Sequence, residues 1–196
     1  MIAIVDYHAG NMASVHKAFR SFSANCIVTA DAATVLTADK VVLPGVGHFS
    51  STATLASNGM ADAIGECIAR GTPFLGICLG LQWLFKGSEE AHDACGLGLL
   101  PGVCTRLPDR VKSPHVGWNR VRLTGESRLF KPVEDGSYFY FTHSYRAPQG
   151  EPTKAICHYG EPFPAAIEHG NVFGVQFHPE KSGAAGLRIV ERFCAL

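Results

Sequence analysis

Residues 73–85 read PFLGICLGLQWLF, and this stretch decides the fold. PFLGI (73–77) is a short apolar run typical of a buried strand, and LGLQWLF (79–85) is expected to be the helix that follows it. The junction GICLG (76–80) has the form of the nucleophile elbow G-x-S-x-G, with Cys78 in place of serine. Glycines on both sides leave room for a sharp strand-to-helix turn, and a helix N-terminus favours the thiolate. The stretch predicts a nucleophilic cysteine at a strand end; a buried structural cysteine is the alternative.

Strand and helix patterns alternate through the rest of the first half of the chain. A helix-period run extends from Met12 to Phe22 with Asn11 as its N-cap, and a second run covers residues 60–70. Apolar strands with helices between them favour a parallel sheet covered on both faces. The three further strands predicted here are IAIVD (2–6), CIVTA (26–30) and KVVLP (40–44).

Strand candidates come closer together in the second half, which predicts hairpins in a mixed sheet. A last helix-period run over residues 183–196 closes the chain, and no repeat or linker interrupts it. We therefore expect one α/β domain spanning residues 1–196, with a mixed, mostly parallel central sheet flanked by helices. The predicted strands of this half are VGWNRVRL (116–123), SYFYFTH (137–143), KAICHY (154–159), PAAIEH (164–169) and VFGVQF (172–177).

The composition excludes several classes of protein. Charged residues make up only 17% of the 196 residues and hydrophobic ones 46%, which excludes a disordered chain. Lys plus Arg and Asp plus Glu number 17 each, so the chain lacks the basic excess of a nucleic-acid-binding protein. The start MIAIVDYHAG has neither the basic nor the long apolar region of a signal peptide. We expect a cytoplasmic protein.

The seven cysteines are widely spaced and form no CxxC pair. A zinc site is therefore not expected, and we predict no other metal or cofactor. In a reducing compartment most of these cysteines should be small buried hydrophobes.

A base for the thiol is predicted in FHPEKS (177–182), which follows an apolar strand. Pro179 pushes His178 toward an extended conformation, in which residues i and i+2 point to the same side. Glu180 can then hold the His178 imidazole in one tautomer, completing a Cys-His-Glu set. A turn histidine beside a solvated glutamate is the alternative.

The loop LPGVGHF (43–49) also follows a predicted strand. Acyl chemistry needs backbone N–H donors aimed at the developing oxyanion. One comes from Leu79, the residue after the nucleophile, and the glycine-rich loop can supply the second. Two glycines let this peptide rotate, so the second donor can be switched. The alternative is an ordinary tight turn.

Five blocks in this order carry a family resemblance: LPGVGHF (43–49), GICLGLQ (76–82), HVGWN (115–119), YFTHSY (140–145) and VFGVQFHPEKS (172–182). Over essentially the whole chain they resemble the class I, triad-type glutamine amidotransferases. GxCxG with HPE is typical of the class as a whole. The remaining blocks are similar to its imidazole glycerol phosphate synthase branch, the glutaminase subunits of histidine biosynthesis.

The resemblance implies a flavodoxin-like fold and a glutaminase mechanism. Cys78 attacks the glutamine side-chain amide to form a glutamyl thioester, which water then hydrolyses. His178, oriented by Glu180, moves the protons. The family also implies an oxyanion hole at Val46, Gly47 and Leu79, and substrate contacts at Gln82, Glu90, His143, Ser144 and Tyr145.

The family further implies a partner, a cyclase subunit of (β/α)8-barrel fold, in a heterodimer. The ammonia passes to this cyclase, which makes imidazole glycerol phosphate and aminoimidazole carboxamide ribotide. Two departures from the family pattern are the turn DYHAGN (6–11), with His8 and Ala9, and Arg146 in place of an aromatic residue. The positions expected near the interface are Asn11, Trp118, Asn119, Tyr138 and Lys181.

Three other functions remain open at this stage. The chain could be a glutaminase that serves another synthase, such as one forming anthranilate, aminodeoxychorismate or pyridoxal phosphate. It could be a cysteine hydrolase acting on another substrate, such as a peptidase of flavodoxin-like fold. It could also be a binding module that retains an unused triad, although Cys78, His178 and Glu180 are all intact.

Overall fold

A nine-stranded sheet runs through the computed structural model, which describes all 196 residues. Its strand order is β2-β1-β3-β4-β13-β12-β11-β8-β9. The strands are β1 Ile2–Val5, β2 Cys26–Thr29, β3 Lys40–Leu43, β4 Phe74–Ile77, β5 Gly87–Ser88, β6 Ala91–Cys95, β7 Thr105–Arg106, β8 His115–Leu123, β9 Tyr138–His143, β10 Tyr145–Arg146, β11 Thr153–Tyr159, β12 Glu161–His169 and β13 Val172–Val175. The helices are α1 Met12–Arg20, α2 Ala32–Leu36, α3 Ala53–Ser57, α4 Met60–Ala69, α5 Leu79–Gln82 and α6 Gly183–Cys194, with 3₁₀ turns at Phe49–Thr52 and Pro179–Lys181.

The sheet has a parallel half and an antiparallel half, as the spacing of the apolar runs predicts. β2, β1, β3, β4 and β13 pair in parallel, and β12, β11, β8 and β9 continue the sheet antiparallel. Parallel neighbours need crossover connections, which the helices of the first half supply. The predicted α/β fold with a mostly parallel central sheet is confirmed.

Hydrophobic cores cover both faces of the sheet. Along β1 the side chains alternate, so that Ile2 and Ile4 join one core while Ala3 and Val5 join the other. α1 and α6 cover the first face, where the Phe19 ring packs edge-on against the Phe193 ring at 6.2 Å between centroids. α2 and α4 pack together on the second face. This double cover explains why the parallel strands are apolar on both sides.

Two helix ends differ from the sequence expectation. α5 ends at Gln82 instead of reaching residue 85, because the N–H groups of Leu84 and Phe85 donate to carbonyls three residues back, those of Leu81 and Gln82. Hydrogen bonds of this 3₁₀ type end the α-helical pattern. α1 ends at Arg20, two residues short of the expected Phe22. The longest helix has 12 residues, and no helix could cross a membrane.

Candidate active site

Cys78 stands on a strained turn between β4 and α5. Its backbone has φ 53° and ψ −102°, a combination that side-chain-bearing residues rarely adopt. The two flanking positions have no room for a side chain, so both must be glycine. A side-chain carbon on Gly76 would lie 2.5 Å from the Gly80 carbonyl oxygen, and one on Gly80 would overlap the carbonyl of Leu43. The G-x-C-x-G pattern is therefore a packing requirement of the elbow, as the sequence predicts.

The base arrives from the neighbouring strand. β13 pairs in parallel with β4, with Val175 opposite Ile77, and the Cys78 backbone N–H donates to the Val175 carbonyl at 2.7 Å. His178 follows three residues later in extended conformation, with φ −100° and ψ 99°. The predicted Cys78 and His178 thus meet because two parallel strands end side by side.

Glu180 reaches His178 by a different backbone path from the one expected. The chain does not stay extended after His178 but turns into the 3₁₀ turn at Pro179. The His178 carbonyl accepts from the Lys181 N–H at 3.0 Å and from the Ser182 hydroxyl at 2.6 Å, which closes this turn. His178 Nδ1 and Glu180 Oε1 are 2.9 Å apart, and both side chains are 2% exposed.

The charges of the site favour a protonated imidazole. Burial opposes protonation of His178, but the Cys78 thiolate and the Glu180 carboxylate outweigh it and raise the His178 pKa to about 10. Because the carboxylate accepts from Nδ1, this nitrogen carries a proton. Nε2 is buried without another partner and is left for the sulfur. The arrangement is an imidazole ring held between the Cys78 sulfur and the Glu180 carboxylate.

The predicted oxyanion donors are not free in this conformation. The Leu79 N–H donates to the Gly45 carbonyl oxygen at 3.3 Å. In a trans peptide the C=O and the following N–H point in opposite directions. The Val46 N–H, which belongs to the same peptide as the Gly45 carbonyl, therefore points away from Leu79. Gly47 has φ 105°, a conformation that suits glycine in a rotatable loop.

A small cavity of about 40 Å³ lies beside the sulfur. Ligand pockets are typically about 300–1,000 Å³, so this one has to open before a glutamine enters. A larger cavity, of about 620 Å³ beside Arg128 and Glu168, contains neither the Cys78 nucleophile nor the His178 base. The small cavity is lined by Gly47, Cys78, Leu79, Gln82, Glu90, Thr142, His143, Ser144 and Tyr145, which brings all five predicted substrate residues together.

Three of the predicted substrate residues also make internal contacts. Gln82 Nε2 donates to the Tyr145 carbonyl at 2.8 Å and to the Gln176 Oε1 at 3.2 Å. Glu90 Oε2 accepts from the Phe49 N–H at 2.8 Å and so ties down the end of the glycine-rich loop. Sequence reasoning missed Gln176, a fully buried residue whose Nε2 lies 3.5 Å from the Cys78 sulfur. Its signal is a lone amide in the apolar run VFGVQF.

A chain of buried rings ends at the same cavity. His143 Nδ1 lies 2.8 Å from the Tyr145 carbonyl oxygen and must donate to it, so its Nε2 is an acceptor for His115 Nδ1, 3.1 Å away. Burial lowers the pKa of His115 to about 4 and of His143 to about 3, so both rings are neutral. Asn119 Nδ2 completes the chain at 3.3 Å from His115 Nε2. Sequence reasoning missed His115.

The residues expected at an interface fall into two groups. Trp118 and Tyr138 are 55% and 51% exposed on the sheet edge formed by β8 and β9, and Val116 beside them is 57% exposed. Lys181 extends toward this edge, with its Nζ 5.8 Å from the Tyr140 ring centroid. These exposed side chains are typical of an interaction surface.

The other two are used within the chain. The Asn119 amide points inward to His115, and Asn11 caps α1 by accepting from the Ser14 N–H at 3.3 Å. α1 packs beside the turn that contains Lys181, so Asn11 belongs to the same end of the molecule as the exposed edge.

Comparisons with known proteins agree on one family. Residues 3–195 match the family of class-I glutamine amidotransferases. The chain is 46% identical over 195 residues to the imidazole glycerol phosphate synthase subunit HisH of Moorella thermoacetica, covering 98% of this chain and 93% of that protein. It is 42% identical over 203 residues to subunit HisH 1 of Methanococcus maripaludis, covering both chains completely.

Solved structures agree in fold at much lower sequence identity. A crystal structure of a glutamine amidotransferase superposes with a TM-score of 0.78 at 16% identity, covering all of both chains. The glutaminase domain of Trypanosoma brucei CTPS with bound acivicin gives 0.72 at 17% identity, over 99% of this chain and 92% of that one.

Proposed function

This chain belongs to the class-I glutamine amidotransferase family, and from that premise we propose that it is the glutaminase subunit of an imidazole glycerol phosphate synthase in histidine biosynthesis. The observation that carries the proposal is the buried set of Cys78, His178 and Glu180 beside a cavity lined by amide and carboxylate groups. A nucleophile next to a base that a third group orients is the arrangement that acyl transfer needs.

The reaction proceeds in two halves on this set. The Cys78 thiolate attacks the side-chain carbonyl carbon of glutamine, and the C–S bond forms as the carbonyl oxygen becomes an oxyanion. His178 donates its Nε2 proton to the amide nitrogen, the C–N bond breaks, and ammonia leaves a glutamyl thioester. His178 Nε2 then accepts a proton from water, which attacks the thioester carbon. The C–S bond breaks, and glutamate and the Cys78 thiolate are released. Glu180 keeps the ring oriented and stabilises its charge throughout.

Opening of the cavity precedes this chemistry. Gln82, Glu90 and the segment 143–145 supply polar groups for the amino and carboxylate ends of glutamine. The Glu90 carboxylate also accepts a hydrogen bond from the Phe49 N–H. A glutamine that binds to this carboxylate therefore competes with the hydrogen bond that fixes the end of the glycine-rich loop. Glutamine binding and loop geometry are therefore coupled.

The chain at rest should be a poor glutaminase. The Gly45 carbonyl occupies the Leu79 N–H, and the Val46 N–H points away, so the oxyanion hole is unformed. Loss of one oxyanion donor costs roughly a hundredfold to a thousandfold in kcat. Rotation of the Gly45–Val46 peptide frees the Leu79 N–H and turns the Val46 N–H toward the oxyanion. We expect a partner to promote this rotation.

The partner we propose is a cyclase subunit of (β/α)8-barrel fold that receives the ammonia in a heterodimer in the cytoplasm. The apolar edge at Val116, Trp118 and Tyr138, with Lys181 beside it, is the docking face. None of the seven cysteines forms a disulfide, as a reducing compartment requires. The cyclase closes the imidazole ring, yielding imidazole glycerol phosphate and aminoimidazole carboxamide ribotide.

Cys78→Ala in the assembled synthase tests the proposal. We expect glutamine-dependent product formation to vanish while product formation from ammonium chloride stays at the wild-type rate, because the thiol acts only on the amide. A Cys95→Ser variant, which changes the exposed thiol, should keep both activities. Loss of both activities in Cys78→Ala would show that this residue is structural.

Pairing the chain with other synthases distinguishes its partner. We expect glutamine-dependent product with the imidazole glycerol phosphate cyclase and none with an anthranilate or aminodeoxychorismate synthase. Product with either of those, or full glutamine turnover by the chain alone, would overturn the proposal.

A further inference from the structure

The hydroxyl of Tyr7 is a buried polar group without a partner. Tyr7 follows β1 and is 2% exposed, and its Oη makes no hydrogen bond. Folded proteins leave few buried polar atoms unpaired, and each one calls for an explanation. Packing in the core accounts for the burial of the ring, but it does not account for the hydroxyl, since a phenylalanine would fill the same space without the cost.

This hydroxyl touches the peptide that controls the oxyanion hole. A side-chain carbon built on Gly45 would overlap the Tyr7 Oη and would lie 2.8 Å from the Leu79 Cβ. Gly45 is therefore enclosed between the Tyr7 hydroxyl on one side and the elbow on the other. Gly10, from the same turn as Tyr7, also approaches, since its built carbon would lie 3.8 Å from the Gly45 Cα.

The Tyr7 hydroxyl keeps its proton in this place. Burial and the negative charge at Cys78 hold the pKa of the phenol well above its usual range. The group is therefore available as a hydrogen-bond donor throughout the working pH range.

Rotation of the Gly45–Val46 peptide creates a need for such a donor. At rest the Gly45 carbonyl accepts from the Leu79 N–H at 3.3 Å. When the peptide turns, this carbonyl loses its partner inside the protein, and an unpaired buried carbonyl is costly. The Tyr7 hydroxyl, which has no hydrogen-bond partner, already lies against Gly45.

We propose that Tyr7 is a positioning residue whose hydroxyl donates a hydrogen bond to the Gly45 carbonyl oxygen in the active loop conformation. This inference rests on the glutaminase function proposed above and adds a residue to its control. In the resting state the hydroxyl is unsatisfied, and in the active state both it and the carbonyl are paired. Tyr7 thus raises the free energy of the first state and lowers that of the second, so it favours activation.

Tyr7→Phe separates this role from a packing role, because it removes the hydroxyl and keeps the ring. In the complete synthase with its nucleotide substrate, we expect glutaminase kcat to fall by about 5- to 150-fold, the factor that corresponds to leaving one buried carbonyl without a hydrogen-bond partner. KM for glutamine should change by less than about twofold, since the hydroxyl contacts the loop and not the cavity. Ammonium-dependent product formation should stay at the wild-type rate.

The melting temperature of the isolated chain gives the second readout. Tyr7→Phe removes an unpaired hydroxyl, so we expect the melting temperature to stay unchanged or to rise. Tyr159→Phe is the matched control: Tyr159 Oη donates to the Lys112 carbonyl at 2.8 Å, away from the loop. That variant should lose a little stability and keep its kcat.

Each outcome decides the proposal. A lower kcat for Tyr7→Phe with an unreduced melting temperature supports it, and Tyr7→Met, which also lacks the hydroxyl, should then lose kcat in the same way. A kcat within about twofold of wild type refutes it, as does a loss of stability like that of Tyr159→Phe accompanied by equal loss of ammonium-dependent activity. If the wild-type chain shows no stimulation by the cyclase, the proposed function itself fails, independently of Tyr7.

Discussion

Replacement of Cys78 by glycine should stabilise the fold relative to replacement by alanine, which reverses the usual order. At most positions glycine is less stable than alanine by about 0.5–1 kcal/mol. At position 78 the backbone has φ 53° and ψ −102°, and a side-chain-bearing residue held in such a conformation is strained by about 1–3 kcal/mol. Only glycine relieves that strain. The net expectation is a gain of about 1 kcal/mol for Cys78→Gly over Cys78→Ala.

For a chain of this length, 1 kcal/mol corresponds to about 2–4 °C in melting temperature. Differential scanning calorimetry of the two variants at pH 7.5 measures the difference directly, and both variants lack the thiol, so catalysis and thiol oxidation at this position do not interfere. Ala184→Gly, at an exposed position in the first turn of α6, is the control that should show the ordinary loss on going to glycine. If Cys78→Gly melts below Cys78→Ala by the ordinary amount, the elbow is not strained and the reasoning is refuted.

Three further predictions follow from the site. Glu180→Gln should cost less kcat than His178→Ala, and loss of its negative charge should move the alkaline limb of the pH profile to lower pH, since that charge helps to raise the His178 pKa; an unmoved limb would count against the ion pair. The His143 pKa, lowered mainly by burial to about 3, keeps the ring neutral when folded, so stability should fall as pH drops from about 6.5. Urea unfolding between pH 4 and 6.5 measures how the free energy of unfolding depends on pH. In His143→Gln that dependence should be smaller than in wild type by about 1.4 kcal/mol per pH unit, and equal slopes for the two proteins would contradict the prediction. Gly80→Ala should lower the melting temperature by several degrees, because its side-chain carbon would overlap a carbonyl of β3, whereas Gly65→Ala, which meets nothing within 4 Å, should raise it.

The parts of the fold that the sequence predicts are those that depend on local pattern. The apolar runs that end at Leu43, Ile77 and Val175 are strands, and the parallel pairing of the first two follows from the helices between them. Pairing then brings together the carboxyl ends of β4 and β13, so that Cys78 and His178 lie side by side. In this way the nucleophile and its base can be read from the chain without knowledge of any contact.

The parts that the sequence does not predict are set by contacts between distant segments. α5 stops at Gln82, and beyond it the carbonyls of Trp83 and Phe85 accept from the N–H groups of loop 96–98, a contact that no local signal marks. The role of His115 depends on a ring 28 residues away, and Gln176 is defined by a sulfur 98 residues away. The direction of the Asn119 side chain also depends on a tertiary contact, because its amide is turned inward by His115. Its neighbour Trp118 faces outward, as expected.

One strand links the proposed docking face to the chemistry. β9 begins at the exposed Tyr138, and the Tyr140 carbonyl accepts from the His178 N–H at 2.9 Å. The same strand ends at His143, which lines the substrate cavity. A partner seated on this edge therefore presses on the backbone that holds the base and on the ring that holds the Tyr145 carbonyl. Shifts along β9 reach the cavity without crossing a flexible loop.

The free energy that docking must deliver is modest. Recovery of one oxyanion donor is worth about 2.7–4 kcal/mol in kcat, and a shift from a 1:99 to a 99:1 population takes about 5.5 kcal/mol of differential binding. This amount has to come from contacts that the partner makes only with the active conformation, because equal affinity for both conformations shifts nothing. The change from the resting to the active conformation is small, because it requires only rotation of the Gly45–Val46 peptide and widening of the cavity. Because the nucleophile and the base are already in place and only the oxyanion donors are missing, the partner's contribution should appear as turnover, with the affinity for glutamine much less affected.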